Sequence, residues 1–340
     1  MIFHSLQSMA PFWLEAGGRL EGVTVAYHTS PRDYREGDKV VWICHALTVN
    51  SNPEDWWEHL VGEGKLIDTE KYFVVCVNML GSPYGSSSPS NIDPETGKPY
   101  YFSFPDITVR DMVHAMIMVR KTLGIKKVDF LIGSSIGGFQ ALEWSIMEPE
   151  VIDHVLFMAT AARVPAYLTA FNETQRMALE ADPSFREAAS LEGGLEGLKC
   201  ARAIALISYR SFDGYEATQT DASEDTMFAE RACSYERYQG EKLSKQFNAY
   251  SYWYLSRSVD SENIGRGRGG VAAALSMIKA KTTVVSITSD TIFPPRIVKV
   301  IADGVEGACY HEIDSKFGHD GFLLEYEQIA GIIRPILDEI

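Results

Sequence analysis

The segment Gly133-Ser134-Ser135-Ile136-Gly137-Gly138 follows the apolar run VDFLI and precedes FQALEWSIM. This is G-x-S-x-G between a strand and a helix, the setting that holds a serine on a sharp turn with its hydroxyl exposed for nucleophilic attack. Gly133 and Gly137 suit the turn because a Cβ at either place would crowd the strand or the helix. Ser135 also stands near the N-terminus of the expected helix, where amide dipoles favour developing negative charge. Such a serine needs a base and an acid to orient it, which in this setting follow along the chain as acid, then histidine. Only His311 and His319 occur in the C-terminal portion beyond residue 266. His311 lies inside the strand-like CYHEID and His319 in the glycine-flanked loop Phe317–Gly321, so His319 is the expected base. Asp290 ends the run TTVVSITSD and is the expected orienter of the imidazole. An acyl-transfer oxyanion needs two amides: that of Ile136, and one from the loop His45-Ala46-Leu47-Thr48 after VVWIC. His45 precedes the serine and is read as a brace for that loop.

These residues need a scaffold that brings strand ends together. Thr24–His28, Val40–Cys44, Phe73–Asn78, Val128–Ile132 and Val155–Met158 are short, nearly continuous apolar runs, the mark of strands buried on both faces. Val109–Leu123 between two of them has apolar residues at helical spacing. Strands alternating with helices imply a mostly parallel sheet. From about Ala162 to Arg266 strand signals nearly vanish, and helical windows such as Glu173–Ala181 and Gly197–Tyr209 take over. Strands at Thr283–Thr288 and Cys309–Ile313 and a helix at Leu324–Leu337 follow. The expected division is a core of residues 1–161 and 267–340, with a helical cap at 162–266 inserted before the last strands.

Composition narrows the partners. The 340 residues carry 31 basic and 46 acidic side chains, a formal charge of −15, and 46% are apolar. A chain that acidic is poorly suited to a phosphate backbone, so no nucleic-acid partner is expected. The tract Arg266–Gly270, with only two arginines, is read as a loop. Five widely spaced cysteines without a C-x-x-C pair give neither a disulfide framework nor a zinc site, and no metal is expected. The N-terminus lacks a signal-peptide pattern and no 18-residue apolar run occurs, which predicts a cytoplasmic protein away from membranes.

Further motifs accompany the serine: HALT at 45–48, DWW at 55–57, VNMLGSPYGSSSPS at 77–90, NIDP at 91–94 with GKP at 97–99, TVRDMV at 108–113, QRMALEADP at 175–183 and SDTIFPP at 289–295. Together with GSSIGGFQALEW at 133–144, they make the sequence resemble the homoserine O-acetyltransferases, acyl-CoA-dependent enzymes of methionine biosynthesis with the α/β-hydrolase fold. The resemblance runs from Leu14–Gly18 to His319–Leu323 and implies an α/β-hydrolase core with an inserted helical cap. It makes Ser135 the acyl-accepting nucleophile, His319 the base and Asp290 its partner, with Leu47 and Ile136 as oxyanion amides. It places Arg202 and Tyr209 at positions facing the acceptor amino acid, and their i, i+7 spacing puts both on one helix face. Arg202 suits the carboxylate and Asp320 the ammonium. Ser134, Ile136, Val49, Ser88 and Gln246 depart from the family's usual residues, and they are expected along the acyl channel or its supporting residues.

The resemblance implies ping-pong transfer of an acetyl group from acetyl-CoA, a co-substrate rather than a bound cofactor, through Ser135 to the hydroxyl of L-homoserine. It also implies a homodimer formed through the cap helices. Succinyl-CoA as donor, serine as acceptor, and plain ester hydrolysis are the alternatives. An esterase would share the triad without an acceptor site.

Overall fold

The computed structural model describes residues 1–340. An eight-stranded sheet runs in the order β1-β4-β6-β5-β7-β8-β9-β10. Its strands are β1 (Ile2–Ser8), β4 (Val23–Thr29), β5 (Val40–Cys44), β6 (Phe73–Val77), β7 (Val128–Ser134), β8 (Ile152–Met158), β9 (Lys281–Ile287) and β10 (Cys309–Ile313). Between β1 and β4, β2 (Phe12–Trp13) and β3 (Arg19–Leu20) pair as a separate ladder. From β6 to β10 every neighbouring pair is parallel, whereas β4 runs antiparallel to both β1 and β6. The three central strands β5, β6 and β7 are buried at every residue. That is why their sequences read as unbroken apolar runs instead of alternating ones.

Helices cover both faces of such a parallel sheet. The first, α1 (Val109–Thr122), begins at Thr108, whose hydroxyl accepts from the Asp111 amide while the Asp111 carboxylate accepts from the Thr108 amide. This reciprocal cap fixes where the helix starts. The next, α2 (Ile136–Met147), is buried at every residue but Met147. Between β8 and β9 lie α3 (Ala166–Glu180), α4 (Pro183–Glu187), α5 (Leu195–Tyr209), α6 (Phe212–Gln219), α7 (Arg231–Ser244) and α8 (Ala249–Asp260), with no intervening strand of the sheet. The short α9 (Val271–Leu275) leads into β9, and α10 (Pro295–Gly304) joins β9 to β10. The C-terminal helix expected at Leu324–Leu337 is α12 (Tyr326–Glu339), set off from the one-turn α11 (Gly321–Leu324) at Glu325, which leaves helical geometry at ψ 47°.

One further feature departs from the sequence reading. β1 gave no strand signal, since an edge strand lacks the two-sided burial that produces an apolar run; only its pairing with β4, from Ile2 opposite Thr29 to Ser8 opposite Val23, defines it. The aromatic stretch Phe247–Tyr254 is mainly core: Phe247, Tyr250, Tyr252 and Tyr254 are all buried.

Candidate active site

The turn between β7 and α2 places Ser135 at φ 57°, ψ −127°, a conformation that residues with a side chain rarely hold. Three close approaches make it possible. A Cβ on Gly133 would lie 2.2 Å from the Gly137 carbonyl oxygen, and one on Gly137 would lie 2.1 Å from the carbonyl oxygen of Cys44 at the end of β5. A Cβ on Gly138 would strike the Thr160 side chain at 2.5 Å. The end of β8 and the residues just after it then latch the turn: Ser135 donates its amide to the Met158 carbonyl (3.1 Å), and the Thr160 hydroxyl donates to the Ser135 carbonyl (2.9 Å). Thr160 was not singled out in the sequence, where it reads as an ordinary residue beyond a strand.

The three residues expected to form a relay meet. Ser135 Oγ is 2.9 Å from His319 Nε2, and His319 Nδ1 is 2.7 Å from Asp290 Oδ2. Asp290 follows β9, and its other oxygen accepts from the amides of Ile292 and Phe293 at 2.8 and 2.9 Å. The Asp-Thr-Ile-Phe sequence therefore turns on its own carboxylate, which holds that carboxylate still against the imidazole. His319 sits in a 3-10 turn, Gly318–Asp320, entered through Gly318 at φ 67°, where a Cβ would meet the Tyr209 carbonyl at 2.6 Å. Burial alone would push the His319 pKa down, but the charge and hydrogen bond of Asp290 and the charge of Asp320 outweigh it and raise it above the ordinary 6.5. His311 lies in β10, away from this relay.

His45 is fully buried and braces its loop as expected. Its Nδ1 lies 2.9 Å from the Ala46 carbonyl oxygen, and its Nε2 accepts from the Met79 amide at 3.1 Å. Burial pulls its pKa down to about 4, so the ring is neutral and acts as a strut between the ends of β5 and β6. Leu47 and Ile136 both border the same small cavity as Ser135 and His319, together with Phe139, Asn172 and Phe293. Ile136 opens α2, so its amide has no acceptor within the helix. The cavity encloses about 30 Å³, and no Lys, Arg, Asp or Glu lines it. A much larger groove of about 560 Å³ between Arg163 and Glu262 contains no triad residue.

Around His319 the remaining candidates cluster. The Tyr209 ring lies 5.9 Å from the His319 ring, and the Arg202 guanidinium 5.9 Å from the Tyr209 ring. Arg202 Nε is buried without a hydrogen-bond partner. Asp320 lies beside His319 in sequence, but its carboxylate is engaged: Arg210 Nε is 2.7 Å away. Among the positions departing from the family's usual residues, Ile136 borders the cavity, whereas Val49, Ser88 and Gln246 do not. Ser134 lies directly behind the nucleophile with its hydroxyl buried and unpartnered. Arg266 and Arg268 of that loop are taken up by Glu15 (2.6 Å) and Glu143 (2.7 Å). No group of histidine, cysteine and carboxylate side chains in this structure is arranged to hold a metal ion.

A mostly parallel sheet, a serine on a strained strand-to-helix turn, and an acid and histidine from later loops define an α/β-hydrolase-fold protein, and the α/β hydrolase fold family matches residues 39–326. Within that fold the chain belongs to the homoserine O-acetyltransferase family. It is 40% identical to the homoserine O-acetyltransferase of Cyclobacterium marinum over 333 residues, covering 98% of this chain and 93% of that one. Among solved structures, the homoserine O-acetyltransferase of Staphylococcus aureus matches with a TM-score of 0.81 at 28% identity, over 99% of this chain and 95% of that one. Esterase E22 matches with a TM-score of 0.88 at 23% identity, over 99% of this chain and 100% of that one, a likeness of fold.

Proposed function

We propose that this protein transfers an acetyl group from acetyl-CoA to the hydroxyl of L-homoserine by a ping-pong mechanism. The observation that carries the reading is the Ser135–His319–Asp290 relay opening onto a cavity of about 30 Å³ in a chain of this family. His319 Nε2 takes the Ser135 proton as Oγ attacks the thioester carbonyl, and Asp290 stabilises the imidazolium. The Leu47 and Ile136 amides receive the oxyanion; one such donor is typically worth about 3 kcal/mol in the transition state. The C–S bond breaks, His319 returns the proton to the CoA thiolate, and an acetyl ester remains on Ser135. The homoserine hydroxyl then gives its proton to His319 and attacks that ester, and the proton goes back to Ser135 Oγ as it leaves.

The cavity supports acetyl over succinyl. No Lys or Arg lines it, so a succinyl carboxylate would find no cation on its walls. Arg202, Tyr209 and Asp320 gathered near His319 support an amino-acid acceptor over water, with Arg202 taking the carboxylate. Those same residues would be idle in an esterase. No helix is long and apolar enough to cross a membrane, and we read the enzyme as cytoplasmic. Exposed Ile207, Phe212 and Tyr238 on α5–α7 support a homodimer built through these helices.

Initial rates test the reading. Varying acetyl-CoA at several homoserine concentrations is expected to give parallel double-reciprocal lines. Intersecting lines, or acetate formed at the same rate without homoserine, would overturn it.

A further inference from the structure

Apart from Ser135 and His319, the walls of the cavity at the nucleophile carry two polar groups, the Tyr209 hydroxyl and the Asn172 carboxamide. Asn172 is a buried residue of α3, and α8 packs against that helix. Its Nδ2 donates to Asp260 Oδ1 at the end of α8 (2.8 Å) and to the Ser256 carbonyl (3.5 Å). The other Asp260 oxygen accepts from Arg176 Nη2 at 2.8 Å, one turn further along α3, so the carboxylate is held by charge where it meets the carboxamide. An ionised carboxylate only accepts, which turns the NH2 end of Asn172 toward Asp260 and leaves Oδ1 as the end free for the cavity. The only bonds the carboxamide makes within the protein are those of Nδ2.

The amino-acid acceptor has Arg202 and Asp320 for its charged ends, and a wall without Lys, Arg, Asp or Glu is no place for them. A CoA thioester, by contrast, is uncharged near its reacting end. Its first polar hydrogen is the amide N–H two carbons beyond the sulfur. On entering an apolar cavity that N–H gives up its water and needs an acceptor in exchange. We propose that Asn172 Oδ1 accepts this hydrogen bond, with Asp260 and Arg176 fixing the orientation of the carboxamide, and thereby selects pantetheine-type donors for acylation of Ser135. The assignment rests on the acyl-transfer reading and deepens it.

The test follows thiol release from two donors. S-acetyl-N-acetylcysteamine keeps the N–H, and S-acetyl-O-acetyl-mercaptoethanol puts an ester oxygen in its place at the same length. Each rate is corrected for acetyl transfer from the same donor to a small free thiolate, and the ratio within one protein cancels general damage to the site. The wild type is expected to favour the amide donor roughly 2- to 10-fold in kcat/KM for acylation, the worth of one neutral hydrogen bond. In Asn172→Leu, which keeps the bulk and removes the oxygen, the ratio is expected to fall to about one. Asn172→Ala, which adds no bulk beside Asp260, is expected to lose the preference in the same way and serves where leucine disturbs folding. Equal slowing with both donors and an intact preference would assign Asn172 a packing role and overturn the proposal. A wild type without the preference would overturn it too. If the wild type releases no thiol from acetyl-CoA, the acyl-transfer reading falls and this assignment with it. If acetyl-CoA acylates the wild type and only the preference behaves otherwise, the assignment falls alone.

Discussion

Ser135 is held in its strained backbone by contacts that leave no room for a Cβ at Gly133 or Gly137. Gly137→Ala would set a methyl group 2.1 Å from the Cys44 carbonyl oxygen, and relieving it must move α2 or the end of β5. We expect a destabilisation of about 1–3 kcal/mol, with a larger fractional loss of turnover because the elbow itself shifts; a folded variant with wild-type kcat would contradict the geometry. The raised pKa of His319 gives a signed pH effect. The base must be neutral to accept the serine proton, so acylation falls as pH drops through that raised value, and the acid limb has its midpoint above 6.5. Asp320 is among the charges raising it, so Asp320→Asn is expected to move the limb to lower pH in the acetyl-CoA half-reaction. A limb that stays in place would show that Asp320 does not act on His319 through charge. Ser135, Asp290 and His319 were legible in the sequence because each stands in its own local signal: a glycine elbow, a strand end, a glycine-flanked loop. Thr160 was not, since a threonine after a strand gains meaning only from what packs against it.

At the scale of elements, α2 carries the nucleophile at one end and a buried carboxylate along its length. Glu143, with a side chain only 1% exposed, pairs with Arg110 of α1 at 3.0 Å and with Arg268 at 2.7 Å. Arg110 and Arg266 both reach Glu15 as well, so one network ties the N-terminal segment, α1, α2 and the loop before α9. Glu143→Ala would leave Arg268 without a carboxylate partner and Arg110 with Glu15 alone. It is expected to cost about 3–5 kcal/mol, read as a lowered midpoint in urea; an unchanged midpoint would refute the network's structural role. The sequence offered Arg266 and Arg268 only as a loop tract, because their partners Glu15 and Glu143 lie far away along the chain. Central strands β5 to β8 were legible since burial on both faces leaves a continuous apolar run. The edge strand β1 and the reversed direction of β4 were not, because both are set by pairing rather than by composition.

At the scale of the molecule, the −15 charge and the cavity beside Ser135 select partners in different ways. The charge disfavours nucleic acid. The cavity, with no cationic side chain on its walls, disfavours an acyl group that ends in a carboxylate. Burying that charge unpaired costs several kcal/mol, so in competition acetyl-CoA should be preferred over succinyl-CoA by about 100-fold or more; comparable use of the two donors would contradict this reading of the cavity. The most direct measurement of the central claim is intact-mass and peptide mass spectrometry of the protein after exposure to acetyl-CoA, with and without L-homoserine. The account predicts one acetyl group on the peptide containing Ser135, its release as O-acetylhomoserine when homoserine is added, and no adduct in Ser135→Ala. A wild-type protein that never acquires the adduct, or an adduct that homoserine does not discharge, would contradict it.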